Sequence, residues 1–363
     1  MGRRGRDQNF LPINPLEFLR IVSMPSVEVQ SIAAMAATAA MIYVVASAIV
    51  GVAFAERALH LPREDRLDES SLRSAAMSQC VASLEEASIT AQDGVRLFGW
   101  YVRPLHDNSS AVLLLHGAGH DRVRIEKQAV ALLKHGYRVL MPDSRGQGHS
   151  EGCLTTFGVL ESDDVQRWLS WLQRYEPPKQ IYGYGQSVGA LILLRSLAVE
   201  KRFCAVVVDS CPISFVETGY DLIGRAFKLG PWFGRSFGRV AMETAMLYSR
   251  LRHRVDLKDA SAEAGLRRTV APVLLVQGTV DRKVPLRHVR RLHSCASVAE
   301  LWSVPGAGHS AAIDTANLEY EQRLVNWFTK TEELGTMLPA QRSDVFEDTE
   351  VGLASLQNHA PQS

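Results

Sequence analysis

The run Gln180-Ile181-Tyr182-Gly183-Tyr184-Gly185-Gln186-Ser187-Val188-Gly189-Ala190, continued by Leu191-Ile192-Leu193-Leu194, constrains this chain more than any other stretch. A short β-prone segment meets Gly-x-Ser-x-Gly and passes directly into a helical one. That order puts Ser187 at the apex of a sharp strand-to-helix turn, with a strained backbone and an exposed hydroxyl. Gly185 and Gly189 leave room for strand and helix to approach each other. Val188 falls on the first helical turn, whose N–H groups have no intrahelical acceptor and can face developing negative charge. A serine hydroxyl is a poor nucleophile unless a base lies beside it and donors await the oxyanion. Gly and Ser are common, and an ordinary Gly-rich β–α turn is spelled the same way. Its context decides between the two.

The context begins with an apolar N-terminal run. Between Glu28 and Glu56 there is no charged residue, and Ile32–Ala55 is apolar almost throughout. Those 24 residues as a helix span about 36 Å, enough for a hydrocarbon core of about 30 Å. The expected organisation is a polar segment over 1–28, a transmembrane anchor over 29–56 and a charged connector over 57–85. Ala53-Phe54-Ala55 also resembles a signal-peptidase site, so a cleaved leader is the alternative. Four arginines precede the run (Arg3, Arg4, Arg6, Arg20) and four follow it (Arg57, Arg63, Arg66, Arg73), so charge asymmetry sets no orientation.

From residue 86 the pattern is that of an α/β domain. Ser88–Ala91 and Val95–Val102 alternate around Asp93-Gly94 and predict a β-hairpin. Ala111–Leu115 is a continuous apolar run, as a buried parallel strand requires, and opens into His116-Gly117-Ala118-Gly119-His120. A helical pattern over Arg122–His135 and a strand over Tyr137–Met141 lead to the loop Pro142–Gly152. An amphipathic helix over Val159–Tyr175 precedes the Ser187 turn, and Ala205–Asp209 is the next strand. Just over sixty residues then separate Asp209 from the strand at Val273. The interval 212–270 is helical and rich in aromatic and Met side chains, and predicts a cap over the catalytic end. Most of those side chains pack cap on core; some within Phe227–Phe237 can line an acyl pocket. The strands Pro272–Gly278 and Glu300–Val304 end in Thr279–Pro285 and Pro305–Ser310, and a final helix covers about Thr315–Lys330. The catalytic domain is therefore expected over 86–330, with a mobile polar tail over 331–363. Strands alternating with helices predict a mostly parallel sheet covered on both faces, with the site at the strands' carboxyl ends.

Composition narrows the function classes. A net charge of +1 offers no electrostatic case for nucleic acid. Five cysteines, scattered and with no CxxC pair, argue against a disulfide framework and against a zinc site.

With its loops placed, the chain resembles the α/β-hydrolase superfamily over roughly residues 86–330. The carrying features are Gly185-Gln186-Ser187-Val188-Gly189, His116-Gly117-Ala118-Gly119, Gly278–Pro285 and Gly306-Ala307-Gly308-His309, in the order Ser, Asp, His. Within the superfamily it looks most like the serine hydrolases near prolyl-oligopeptidase-type and serine-aminopeptidase-type domains, a placement supported by Asp143–Gly152. The resemblance implies Ser187 as nucleophile, His309 as base, Asp281 as its orienting acid, and the N–H groups of Ala118 and Val188 as the oxyanion hole. Asp209 also ends a strand and is a rival acid. His120 and His149 are rival bases, and His116 is read as a loop residue. A metal site from His116, His120 and Asp121 is conceivable but disfavoured, and Asp143 and Arg145 are expected to tie their own loop together.

The implied activity is hydrolysis of a carboxylic ester or thioester through an acyl-enzyme, with no cofactor and no metal. The expected partners are a small or lipid-derived acyl substrate and a membrane, through the N-terminal helix; oligomeric state is left open. Serine rather than aspartate at the turn disfavours dehalogenase and epoxide-hydrolase chemistry. A peptidase or acylaminoacyl hydrolase of the same fold is the alternative, and a non-catalytic scaffold is a third reading.

Overall fold

A computed structural model describes residues 26–63 and 79–336. The polar N-terminal segment up to residue 25, most of the connector and the tail beyond 336 lie outside the described residues.

The sheet has eight strands: β1 (Val81–Thr90), β2 (Arg96–Pro104), β3 (Ala111–Leu115), β4 (Arg138–Pro142), β5 (Ile181–Gln186), β6 (Phe203–Asp209), β7 (Val273–Gly278) and β8 (Ala299–Val304). Their spatial order is β1-β2-β4-β3-β5-β6-β7-β8. The pairs β1–β2 and β2–β4 are antiparallel, and every pair from β4 through β3 to β8 is parallel. Strands β3, β4, β5 and β7 are buried along their whole length, which is why their sequences are apolar runs rather than alternations. The predicted hairpin is present, with Gly94 in the left-handed region at φ 85°. Its first strand begins at Val81, so the sheet reaches into the segment expected to be connector.

One face of the sheet is covered by α3 (Glu161–Tyr175), α4 (Val188–Ser196), α8 (Ala262–Leu266) and α9 (Leu286–His293); Trp168, Leu169, Leu191, Leu193, Leu266 and Leu292 fill that layer. The other is covered by α2 (Glu126–Lys134) and α11 (Leu318–Thr336), through Leu132, Leu133, Leu324, Trp327 and Phe328. The final helix differs from its prediction. It is split into α10 (Ala312–Ala316) and α11 at Asn317, whose φ of 41° ends the first piece.

The cap consists of α5 (Phe215–Ala226), α6 (Pro231–Phe237) and α7 (Arg239–His253). Helix α8, expected within it, packs on the core instead: a Cβ at Gly265 would lie 1.7 Å from the Leu194 carbonyl oxygen, so only glycine fits there. Two devices hold the cap. Phe215, Met242, Met246 and Leu257 form a small core of their own with Leu59. Below it, the buried Asp221 of α5 faces Arg287 and accepts from His288 Nε2 at 2.8 Å, while His288 Nδ1 accepts from the Ile213 N–H at 3.2 Å.

Burial, aided by the neighbouring Arg287 guanidinium, pushes His288 down from 6.5 to about 4. Between those values the unfolded chain binds a proton that the folded chain does not, so stability falls as pH drops through the window. On the order of 3 kcal/mol is at stake, fully present above pH 6.5 and lost by about pH 4. Thermal unfolding across that range should show this loss, and His288→Gln should flatten the dependence. An equally steep profile in the variant would place the titration elsewhere.

The N-terminal helix α1 (Ser26–Leu59) is 34 residues long, about 51 Å. Among the described residues it is the one helix long and apolar enough to cross a membrane, with mean hydropathy 2.1 over its apolar span. Residues 29–42 are exposed, whereas its last turns dock on the cap. A Cβ at Gly51 would lie 2.3 Å from the Ala241 carbonyl oxygen. Tyr43 donates to the Phe237 carbonyl at 2.6 Å, and Glu56 accepts from Tyr248 at 2.5 Å and pairs with His253 at 2.9 Å.

Candidate active site

Strand β5 delivers Ser187 to the carboxyl edge of the sheet, between β3 and β6. Ser187 has φ 54° and ψ −116°, a conformation a non-glycine residue holds only when its surroundings enforce it. The enforcement is close packing. A Cβ at Gly185 would lie 2.6 Å from the Gly189 carbonyl oxygen, and one at Gly189 would lie 2.3 Å from that of Leu115. The Ser187 N–H is held by the Asp209 carbonyl at 2.8 Å.

From this apex a hydrogen-bonded chain runs across the loops after β7 and β8. Ser187 Oγ lies 3.0 Å from His309 Nε2, and His309 Nδ1 lies 2.8 Å from Asp281 Oδ2. Pairs of residues 122 and 28 positions apart in sequence are thus joined without a break. Asp281 is anchored in turn by the N–H groups of Lys283 at 2.8 Å and Val284 at 2.9 Å, and by Gln277 Nε2 at 3.0 Å. Burial alone would raise its carboxyl, but the bond to His309 and the two backbone donors outweigh burial and hold it below the usual carboxylate range. A hydroxyl against an imidazole that is oriented by a buried carboxylate can lose its proton as it attacks an electrophile.

The rival residues have other partners. Asp209 is fully buried, which pushes its carboxyl up to about 6, and it accepts from Ser210 Oγ at 2.9 Å and Tyr320 OH at 3.2 Å. His116 is buried, which lowers its basicity; its Nδ1 lies 2.8 Å from the Gly117 carbonyl and its Nε2 accepts the Ser144 N–H at 3.0 Å. It therefore holds the 117–119 loop in place. His120 lines the polar cavity beside Ser187, whereas the His149 N–H donates to Asp143 at 2.8 Å. Among the described residues no group of three His, Cys, Asp or Glu side chains could hold a metal ion. Asp143 does tie its own loop, accepting from the N–H groups of Arg122 and His149 and pairing with the Arg122 guanidinium. Arg145 does not. It reaches out to Asp164 of the flanking helix at 2.7 Å and to Asp93 of the hairpin at 2.8 Å.

Several contributors were not foreseen. Ser210 Oγ accepts the Ser310 N–H at 2.9 Å and so fixes the residue after His309. Tyr184 and Tyr320 meet at 3.0 Å and extend the Asp209 network into the core. Gln277 had a visible signal, a polar residue closing the otherwise apolar strand Val273–Gly278.

Two cavities meet at the apex. One of about 690 Å³ is polar and is lined by Ser187, His309, Gly117, His120, Arg124 and Lys283. The other, of about 830 Å³, is almost wholly apolar and runs from Val188 and Leu191 outward between the cap and α1. Ala118 lines both. A Cβ at Gly117 would touch that of Ser187 at 3.4 Å, so the loop bearing Ala118 lies directly against the hydroxyl-bearing residue.

Known proteins share this arrangement of elements. The model of the alpha/beta hydrolase family matches residues 112–323. An uncharacterized protein of Mycobacterium tuberculosis is 31% identical over 225 residues, covering 61% of this chain and 71% of its own. The solved esterase Pf2001 of Pyrococcus furiosus superposes with a TM-score of 0.58 at 26% identity, covering 75% of this chain and 97% of the esterase. That family match spans more than half of the chain, and the chain belongs to the alpha/beta hydrolase family.

Proposed function

We propose that this protein is a membrane-anchored serine hydrolase that cleaves a carboxylic ester or thioester through an acyl-enzyme. Ser187 Oγ attacks the carbonyl carbon as His309 Nε2 takes its proton; Asp281 keeps His309 in the tautomer that can accept it and stabilises the imidazolium. The N–H groups of Ala118 and Val188 receive the oxyanion, an interaction worth on the order of 3 kcal/mol in the transition state. His309 then protonates the leaving oxygen or sulfur, and a water activated by the same imidazole releases the acid. The single observation that carries this reading is the unbroken path from Ser187 through His309 to Asp281.

Ester cleavage is preferred to peptide cleavage because a solved structure similar to this chain is that of an esterase. The placement near prolyl-oligopeptidase-type and serine-aminopeptidase-type domains rests on the Asp143–Gly152 loop and belongs to the second reading. Retention of α1 is supported by its packing: cleavage after Ala55 would remove one wall of the apolar cavity and the Glu56-anchored end of the helix would lose its register on the cap. A panel of p-nitrophenyl esters of graded chain length beside aminoacyl anilides tests the choice of substrate. Turnover of the esters with little on the anilides is expected, and turnover confined to the anilides overturns it.

A further inference from the structure

The apolar cavity uses α1 as a wall. Tyr43, Ala46, Ser47, Val50, Phe54 and Ala58 line it, and their spacing of three and four residues places them on one stripe of the helix. Val45, half exposed, points the opposite way. The facing wall is the cap, through Thr218, Leu222, Ala226 and Phe233, and the inner end is Ala118 and Val188 beside Ser187. Between Tyr43 and Phe54 the helix rises about 16 Å, so the cavity is far deeper than an acetyl or butyryl group requires.

Its outer end lies beside the exposed apolar half of α1. Tyr43 stands about 20 Å along the helix from Glu56, the first charge after Glu28, and it binds the Phe237 carbonyl of α6. The cap at that level exposes Phe227 (63%), Trp232 (71%) and Phe237 (50%) beside the exposed apolar face of α1. Such a contiguous aromatic patch, next to a helix long enough to span, suits the interfacial zone of a membrane. The polar cavity on the other side of Ser187 carries Arg124, Lys127, Lys283 and His120, with Glu126 and Asp314. Apolar depth on one side of the hydroxyl and charged groups on the other match an amphiphile divided at its ester carbonyl.

We propose that the substrate is a long-chain acyl ester of the membrane-lipid type, its chain entering from the bilayer along the inner stripe of α1 and its polar part occupying the second cavity. Helix α1 is then a specificity-determining wall of the site as well as an anchor. This rests on the reading of Ser187 as the nucleophile.

The test uses the full-length protein in lipid nanodiscs and the ratio of kcat/KM on p-nitrophenyl palmitate to that on p-nitrophenyl acetate. The native protein should favour palmitate, and Ser47→Trp, which plugs the α1 wall, should cut the ratio about tenfold or more. Ala226→Trp plugs the opposite wall and should do the same, which guards against misfolding of the first variant. Val45→Trp, on the outer face, should leave the ratio in place. Fluorophosphonate labelling of Ser187 certifies each variant's fold. Ser187-dependent turnover of acetate without a preference for palmitate, or a preference untouched by both plugs, overturns the assignment while leaving the hydrolase reading intact. No Ser187-dependent turnover of either ester overturns both.

Discussion

Ser187→Ala should lower kcat on any ester substrate by roughly a millionfold, to the level that binding and the oxyanion donors alone sustain. The size follows from geometry. Among the described residues Ser187 Oγ is the side-chain oxygen hydrogen-bonded to His309 Nε2, at 3.0 Å, so its removal takes away the nucleophile that the imidazole can activate. The loss should come without unfolding, because the elbow's conformation is imposed by the close packing of Gly185 and Gly189 rather than by the hydroxyl. Steady-state kinetics with p-nitrophenyl esters, alongside thermal unfolding of the same preparations, measures both. A variant that keeps a hundredth of native turnover would require a different nucleophile.

The second large effect separates two carboxylates. Asp281→Asn should reduce kcat about 10⁴-fold, since an amide at that place favours the wrong tautomer of His309. Asp209→Asn, one strand closer to the elbow, should reduce kcat by no more than an order of magnitude, on the order of 1 kcal/mol. Its carboxyl is fully buried and engaged by Ser210 and Tyr320, not by the imidazole. Asp209 therefore acts through Ser210, which holds the Ser310 N–H and with it the loop of His309. The order of the two effects is the diagnostic: reversal would make Asp209 the orienting acid.

What the sequence made legible was local. The elbow is one strand and one helix joined within a dozen residues, so its glycines and its serine carry the geometry by themselves. The loop bearing Asp281 could be placed because it closes a buried, largely apolar strand, and the loop bearing His309 because it follows the last β-prone run, which forms the edge strand. What stayed hidden depends on contacts across long separations. Nothing near Arg145 in the chain points to Asp93 and Asp164 as its partners. Asn317 looks like an ordinary helix residue until its positive φ breaks the final helix in two. The apolar N-terminal run reads as an anchor, but its role as a wall emerges only when Gly51 seats it on Ala241 and Tyr43 meets Phe237, some 190 residues later. Hydrophobic content alone does not distinguish a helix that passes through lipid from one that also faces a cavity.

The central claim is that one hydroxyl, activated by a distant imidazole, carries the chemistry. Treating the full-length protein with a fluorophosphonate and mapping the adduct by peptide mass spectrometry tests this most directly. The account predicts a single adduct on Ser187, formed quickly in the native protein and slowly or not at all in His309→Ala. A folded protein that never takes the label, or one labelled at another residue, would contradict it.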